Sequence, residues 1–374
     1  MEKPKAPFAG CARIFICPHS TNSDTEPDQA AVPPTPDRRT RRIIQIKVNT
    51  MNQYRIPSMR EHITTKLRHA AAALTASLLA VTATAAPATQ ADYDQPTKCD
   101  SCAQWNQPTA PFKIHGSTYY VGVRGLSAVL IATPQGLILL DGDLPQSAPL
   151  IEANVRALGL RVEDIRYILN SHVHVDHAGG IAALQRHSGA EVVASVEGAA
   201  ALRAGHVPDD DPQSGYASTH AIPRVAHVKT IRDGEAVSLG GMTVIAHRTP
   251  GHTPGGTTWS WRSCEPGKDK GQCYDIVYAD SLNAISSPGF RFTGGHGKSN
   301  LVPGFRASIA KVAALPCDIL ITVHPDFSNV LERAEQAANG AGAKAFVDQG
   351  ACRAYADDAL QLLEKRVSEE RVGE

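Results

Sequence analysis

Ser171-His172-Val173-His174-Val175-Asp176-His177-Ala178-Gly179-Gly180 puts three histidines and an aspartate within six residues. A solitary surface histidine is commonly just a polar side chain, but a run this dense fills a core badly and is a costly way to decorate a surface. Ahead of it, Asp164-Ile165-Arg166-Tyr167-Ile168-Leu169-Asn170 is an apolar run of strand length. Behind it, Ile181-Ala182-Ala183-Leu184-Gln185 reads as a helix opened by two glycines. The cluster therefore sits on the loop leaving the carboxyl end of a strand, where α/β sheets place their ligands. In extended chain, alternate residues face the same way, so His172 and His174 meet one ion while Asp176 and His177 turn towards a second. Imidazole and carboxylate without thiolate favour zinc or iron, with zinc the first choice.

The beginning of the chain has a different character. Residues 1–50 are rich in Pro, Thr and Arg, with Pro33-Pro34-Thr35-Pro36 and Arg38-Arg39-Thr40-Arg41-Arg42, and have no sustained apolar period. They read as a disordered or over-extended segment ahead of a start at Met51 or Met59. Residues 51–85 combine a basic region (Arg60, Lys66, Arg68), the apolar Ala70 to Ala80 and the small-residue Ala83-Thr84-Ala85, the pattern of a secretory signal peptide. The apolar run falls short of the roughly 20 residues of a membrane span, so no stable membrane anchor is expected. Residues 86–374 form the single folded domain.

The leader holds 12 of the 37 basic and 6 of the 37 acidic residues, leaving 25 against 31 and a formal charge of −6 for the remainder. A mildly acidic exported domain has no electrostatic case for binding nucleic acid. Of eight cysteines, Cys11 and Cys17 precede the folded part. In an exported chain the other six suggest disulfides, and short spacings favour Cys99 with Cys102 and Cys264 with Cys273, leaving Cys317 with Cys352. A cysteine zinc site fits badly, because the pairs lie far apart.

Through the folded part, Phe112 to Val123, Ala128 to Thr133 and Gly136 to Leu140 read as strands, the last ending at Asp141 and Asp143. Pro145 to Leu158 has helical spacing and is closed by Gly159. Ala190 to Ala194 is a further strand. Gly205 to Val228 is long, polar and punctuated by Pro208, Pro212 and Pro223. A loop of that length favours a functional role, here part of a substrate pocket; its His206, His220 and His227 are not expected as ligands, nor is the loop histidine His296. Ala236 to His247 is a two-stranded unit leading to Thr249-Pro250-Gly251-His252-Thr253-Pro254-Gly255-Gly256, where His252 becomes the natural third imidazole. Thr257 to Arg262 and Asp275 to Ala279 are strands, Asn300 to Ala314 is a helix, Asp318 to Val323 is a strand delivering His324, and Ala334 to Leu363 is mostly helical. Strand-rich halves each followed by helices predict two packed sheets covered by helices on both outer faces.

With these residues in view, His172-Val173-His174-Val175-Asp176-His177, Gly251-His252-Thr253 and the late His324 resemble the metallo-β-lactamase fold superfamily over about Trp105 to Leu363. The likeness is strongest to subclass B3. It rests on His172, on Tyr278-Ala279-Asp280-Ser281-Leu282, on Ile321-Thr322-Val323-His324-Pro325, and on Cys317 with Cys352-Arg353-Ala354-Tyr355-Ala356. The resemblance implies an α/β, αββα four-layer sandwich and two Zn2+ ions per chain. His172, His174 and His252 would hold the first ion; Asp176, His177 and His324 the second. It further implies that a metal-bound hydroxide, oriented by the catalytic ligand Asp176, opens the ring of β-lactam antibiotics (penicillins, cephalosporins, carbapenems). Ser281, Asn283 and Gln213 would contact this small-molecule substrate, although family members often have serine or threonine where Asn283 stands. Such an enzyme is expected in the periplasm as a monomer. Asp141 or Asp143 would orient a ligand histidine or cap the following helix.

Two other functions compete. Glyoxalase-II-type thioesterases and lactonases share the resemblance, with an aspartate bridging the metals, and Asp280 lies near the place it would come from. A non-catalytic binding protein on the same scaffold predicts missing ligands, and none is missing.

Overall fold

Alternation along the strands decides the layering. In the strand Gly136–Leu140 (β4), Leu137 and Leu139 face one core while Ile138 and Leu140 face another. The strand Cys273–Ala279 (β11) splits the same way, Ile276 and Tyr278 from Val277 and Ala279. Side chains on a strand point to opposite faces in turn, so a strand apolar on both faces must be covered on both. The result is three cores and four layers.

The computed structural model describes residues 93–217, 221–265, 271–295 and 297–372. The expected leader (1–50 and 51–85), His220 and His296 lie outside the described residues. The strands Phe112–His115 (β1), Thr118–Tyr120 (β2), Val129–Thr133 (β3), β4, Ile165–Leu169 (β5), Glu191–Ser195 (β6) and Val228–Ile231 (β7) make a seven-stranded sheet in that order. It is antiparallel from β1 to β4 and parallel from β4 to β7. Ala236–Leu239 (β8), Met242–Arg248 (β9), Thr257–Cys264 (β10), β11 and Ile319–Thr322 (β12) make a five-stranded sheet ordered β12-β11-β10-β9-β8. The run expected as one strand over Phe112 to Val123 is the β1–β2 hairpin, broken at the turn Gly116-Ser117.

Helices Ala148–Ala157 (α2), Ile181–Ser188 (α4) and Val196–Ala204 (α5) cover the outer face of the first sheet, burying Ile151, Val155, Leu184 and Leu202. Two four-residue helices stand apart from them: Cys102–Trp105 (α1) and Val175–Ala178 (α3), the second lying inside the histidine motif. On the second sheet, Val302–Ala314 (α6) and Ala351–Val372 (α8) bury Phe305, Ile309, Tyr355 and Leu363, with Val330–Gln336 (α7) between them in sequence. None of these helices is long and apolar enough to cross a membrane. The sulfurs of Cys99 and Cys102, Cys264 and Cys273, and Cys317 and Cys352 lie at disulfide distance, the three pairs expected from spacing.

This architecture brings the carboxyl ends of β4, β5, β11 and β12 and the β9–β10 loop together. The motif loop needs close approach there, since a Cβ on Gly180 would stand 2.1 Å from the Gly142 carbonyl oxygen. Between the sheets, Trp259 is fully buried and its Nε1 donates to the Asn170 carbonyl at 3.1 Å, fastening the inner core to the start of that loop. Truncating a buried aromatic leaves a cavity that costs about 3–5 kcal/mol. Trp259→Ala should therefore lower the urea midpoint by a corresponding amount, measured by far-ultraviolet circular dichroism.

Candidate metal centre

Each histidine of the cluster arrives by a different piece of local structure. The chain leaves β5 extended, so Val173 packs into the outer core while His172 and His174 turn the other way. α3 then begins, and one turn of helix carries Asp176 and His177. His252 comes from the β9–β10 loop, where Gly251 takes φ +152° and a Cβ would stand 2.2 Å from the Phe305 ring. Only glycine suits that position. His324 lies two residues past β12.

The imidazoles converge. Ring centroids of His172, His174 and His252 are mutually 4.8–4.9 Å apart, His172 is 4.4 Å from His177, and His177 is 4.9 Å from His324. Ligand atoms of His172, His174 and His252 all lie within 4.8 Å of one another, and so do those of His172, Asp176 and His177. His324 Nε2 is 3.5 Å from Asp176 Oδ2, and His177 Nε2 is 3.3 Å from the same oxygen. His172 thus stands between two groups.

The outward-facing nitrogens are tied down. His252 Nδ1–H donates to the Asn283 carbonyl at 2.8 Å, and His324 Nδ1–H to the Gly125 carbonyl at 3.1 Å. A carbonyl only accepts, so both rings carry their lone pair on Nε2, aimed into the site. His172 Nδ1 lies 2.7 Å from Asp280 Oδ1, and His174 Nε2 lies 3.1 Å from Asp211 Oδ1. His172 Nε2 and His177 Nδ1 are buried without a hydrogen-bond partner among the described residues. The His172 Nε2 lone pair, left over beside further imidazoles and a carboxylate, is what a zinc-type cation satisfies. The donor set fits the metal that the sequence implies.

Electrostatics agree. Burial and the neighbouring imidazoles of His177, His174 and His252 hold His172 well below the usual histidine range. Burial, then His174, lowers His252 to about 3. Both rings are therefore neutral and able to bind metal at ordinary pH. Burial works to raise Asp176, but His177 and His324 overcome it and keep the carboxyl well below its ordinary value.

Other expected residues take more specific places. Gln213 Nε2 is 3.4 Å from His174 Nδ1 and 3.3 Å from His252 Nε2, directly over the three-histidine group. Ser281 is buried, with its hydroxyl 3.5 Å from the Asn283 N–H, and Asn283 is half-buried above it. His206 and His227 join neither group. Neither Asp141 nor Asp143 orients a ligand histidine or caps the next helix, which corrects the expectation. Asp141 accepts from the Ser171 N–H at 2.7 Å and the Ser171 hydroxyl at 2.6 Å, with Tyr278 Oη 2.9 Å away, and so pins the motif loop itself. The orienting carboxylates are Asp280 and Asp211. Asp280 turns its Oδ1 to the outer nitrogen of His172, the position of an orienting partner. Asp211 was not expected at all; its one signal is its place in the loop, two residues before Gln213. The pocket mouth of about 160 Å³ is lined by Cys99, Ser101, Trp105, His174, Asp176 and Gln213, and the Trp105 ring is 5.3 Å from that of His324.

Convergent imidazoles and a carboxylate at one edge of a double-sheet sandwich define a metal-dependent hydrolase. Residues 121–264 match the model of the metallo-beta-lactamase superfamily. MEM-A1, a subclass B3 metallo-beta-lactamase isolated from a soil metagenome library, is 49% identical, with 72% of this chain and 100% of that one aligned at a TM-score of 0.68. The Rm3 metallo-beta-lactamase is 48% identical over 74% of this chain and 100% of that one, with a TM-score of 0.69. The chain belongs to the metallo-β-lactamase superfamily, and its likeness within it is to subclass B3. A hydroxyacylglutathione hydrolase of Anaeromyxobacter dehalogenans is 33% identical over 132 residues, which is 35% of this chain and 40% of that protein. The chain thus spans well under two thirds of that curated relative's length.

Removing a partner of a ligand histidine typically lowers metal affinity about 10–100-fold. Asp211→Ala should show that loss in competition with a chromophoric zinc chelator. A histidine depressed in the folded state contributes stability above its unfolded value of 6.5, and for His252 this is lost as pH falls towards about 3. In chelator-washed protein, wild type should therefore lose more melting temperature between about pH 7 and about pH 4 than His252→Gln, because only in the wild type does the unfolded chain gain a proton on that ring which the folded chain refuses.

Proposed function

We propose that this chain is an exported di-zinc hydrolase that opens the β-lactam ring of penicillins, cephalosporins and carbapenems. The observation that carries the reading is the pair of ligand groups meeting at His172, with Asp280 turned to that ring's outer nitrogen. Near 50% identity over the full length of subclass B3 enzymes supports the same substrate class. Two zinc ions, held by His172, His174 and His252 and by Asp176, His177 and His324, supply Lewis acidity and lower the pKa of water at the site.

The chain's own residues do the rest. Three neutral imidazoles bring no negative charge to the first position, so none of its positive field is cancelled there. Asp176, held ionised, is the one anionic ligand; it fixes the second position and is the acceptor next to the attacking water. Gln213, from the loop over His174 and His252, and Asn283, beside His252, orient the substrate, Asn283 towards its carboxylate. Ser281 shapes the turn beneath Asn283. The outer-nitrogen bonds to Asp280, Asp211, Asn283 and Gly125 hold the rings of His172, His174, His252 and His324 in place, so these four need no reorganisation when a substrate arrives. Three cysteine pairs at disulfide distance and the signal-like residues 51–85 fit export to an oxidising periplasm, with the chain working as a monomer.

The curated relative named as a hydroxyacylglutathione hydrolase favours a thioesterase as second reading. That reading needs an aspartate facing both metals, whereas Asp280 faces the outer side of His172. Purified residues 86–374 should hydrolyse a carbapenem and a cephalosporin, lose activity on chelation and regain it with zinc. His172→Ala should lower kcat/KM by at least about a thousandfold, since it removes one of the three imidazoles of the first position and the ring that stands next to the second. Robust thioester or lactone turnover without lactam turnover would move the assignment to the second reading.

A further inference from the structure

His324 is the histidine of the centre that the core holds least. Its side chain is 21% exposed, whereas those of His172, His174 and His177 are at most 5% exposed. It comes in from the exit of β12, reaches Asp176 Oδ2 at 3.5 Å, and gives its outer N–H to the Gly125 carbonyl at 3.1 Å. A ring placed in this way is aimed only as well as the peptide it bonds. That peptide is gripped from two sides. The N–H groups of Arg124 and Gly125 donate to the carbonyls of Gln107 and Trp105 at 2.9 and 3.0 Å, and the Ser127 N–H donates to the carbonyl of Val323, the residue before His324, at 2.9 Å. The approach is close: a Cβ on Gly125 would stand 2.6 Å from both Cα and Cδ1 of Trp105, whose ring lies 5.3 Å from that of His324.

We propose that Trp105, with the segment from Cys99 to Gln107 that carries it, is a positioning residue: it aims His324 through the Gly125 peptide and so sets the affinity of the second metal position separately from the first. The inference rests on the di-zinc reading and deepens it. The segment is fastened to the body of the first sheet well away from the metal ligands. Tyr93 Oη donates to Glu152 at 2.9 Å, the Thr97 backbone exchanges two bonds with the Gln146 amide at 3.0 and 2.9 Å, and the Ser147 hydroxyl donates to Asn106 Oδ1 at 2.5 Å. Cys99 and Cys102, at disulfide distance, close the turn that opens α1. The first position takes its orienting bonds from other elements, through Asp280, Asp211 and the Asn283 carbonyl. Loosening the segment therefore releases His324 while the three-histidine group keeps its partners.

The test is a zinc titration of the chelator-washed full chain against a chromophoric chelator, which resolves the two binding steps without reference to turnover. Trp105→Ala should weaken the second step about 10–100-fold, the loss typical when a ligand histidine loses its support, and leave the first step unchanged. Trp105→Phe keeps a ring against Gly125 and His324 and should restore the second step. Gly125→Ala, which forces a methyl group against the Trp105 backbone, should reproduce the selective loss by a second route. A fall in both steps together, or in neither, would overturn the inference and leave Trp105 a packing residue. Failure of Trp105→Phe to restore the second step would overturn it as well. Uptake of a single ion by the wild type would remove the di-zinc reading, and this inference with it.

Discussion

Buried imidazoles must be told which nitrogen to protonate, and here the protein does so from outside the ring of ligands. His252 and His324 each face a main-chain carbonyl, and His172 and His174 each face a carboxylate. With the outer nitrogen engaged, the remaining lone pair points inward, where burial removes water as a competitor. Burial keeps His172 and His252 neutral, and the histidines around Asp176 keep it charged. The centre is therefore set for a divalent cation by hydrogen bonds that no cation touches.

The sandwich exists to deliver those partners. Parallel pairing of β4 with β5 and of β11 with β12 sends four chain ends to one edge, carrying Asp141, His172, Asp280 and His324. Asp141 takes both polar groups of Ser171 and fixes the backbone immediately before His172. Trp259 joins the inner core to the same loop through Asn170. Packing and polar positioning meet on one strand exit, so an error in the core is felt at the metal ligands.

Much of this is legible in the sequence. The layering is readable because strands apolar on both faces alternate with amphipathic helices. Four of the six proposed ligands lie within six residues, where spacing alone argues for metal. His252 and His324 have no such local signature and become ligands only beside the cluster and the resemblance it supports. The orienting shell is the part that stays hidden. Any residue offers a carbonyl, so Gly125 and the main chain of Asn283 leave no trace in side-chain identity. Asp211 sits in a polar, proline-punctuated loop that reads as solvated. Asp280 stands out, but its side matters and the sequence does not give it: its N–H is held by Thr258 Oγ1, and Gly256 leaves room for Oδ2 where a Cβ would stand 2.4 Å away.

The most direct test of the central claim is anomalous X-ray diffraction at the zinc edge from crystals of the purified chain. Two peaks should appear, one bounded by His172, His174 and His252 and the other by Asp176, His177 and His324. A map with no peak at these side chains, or with ions held only elsewhere, would contradict the account.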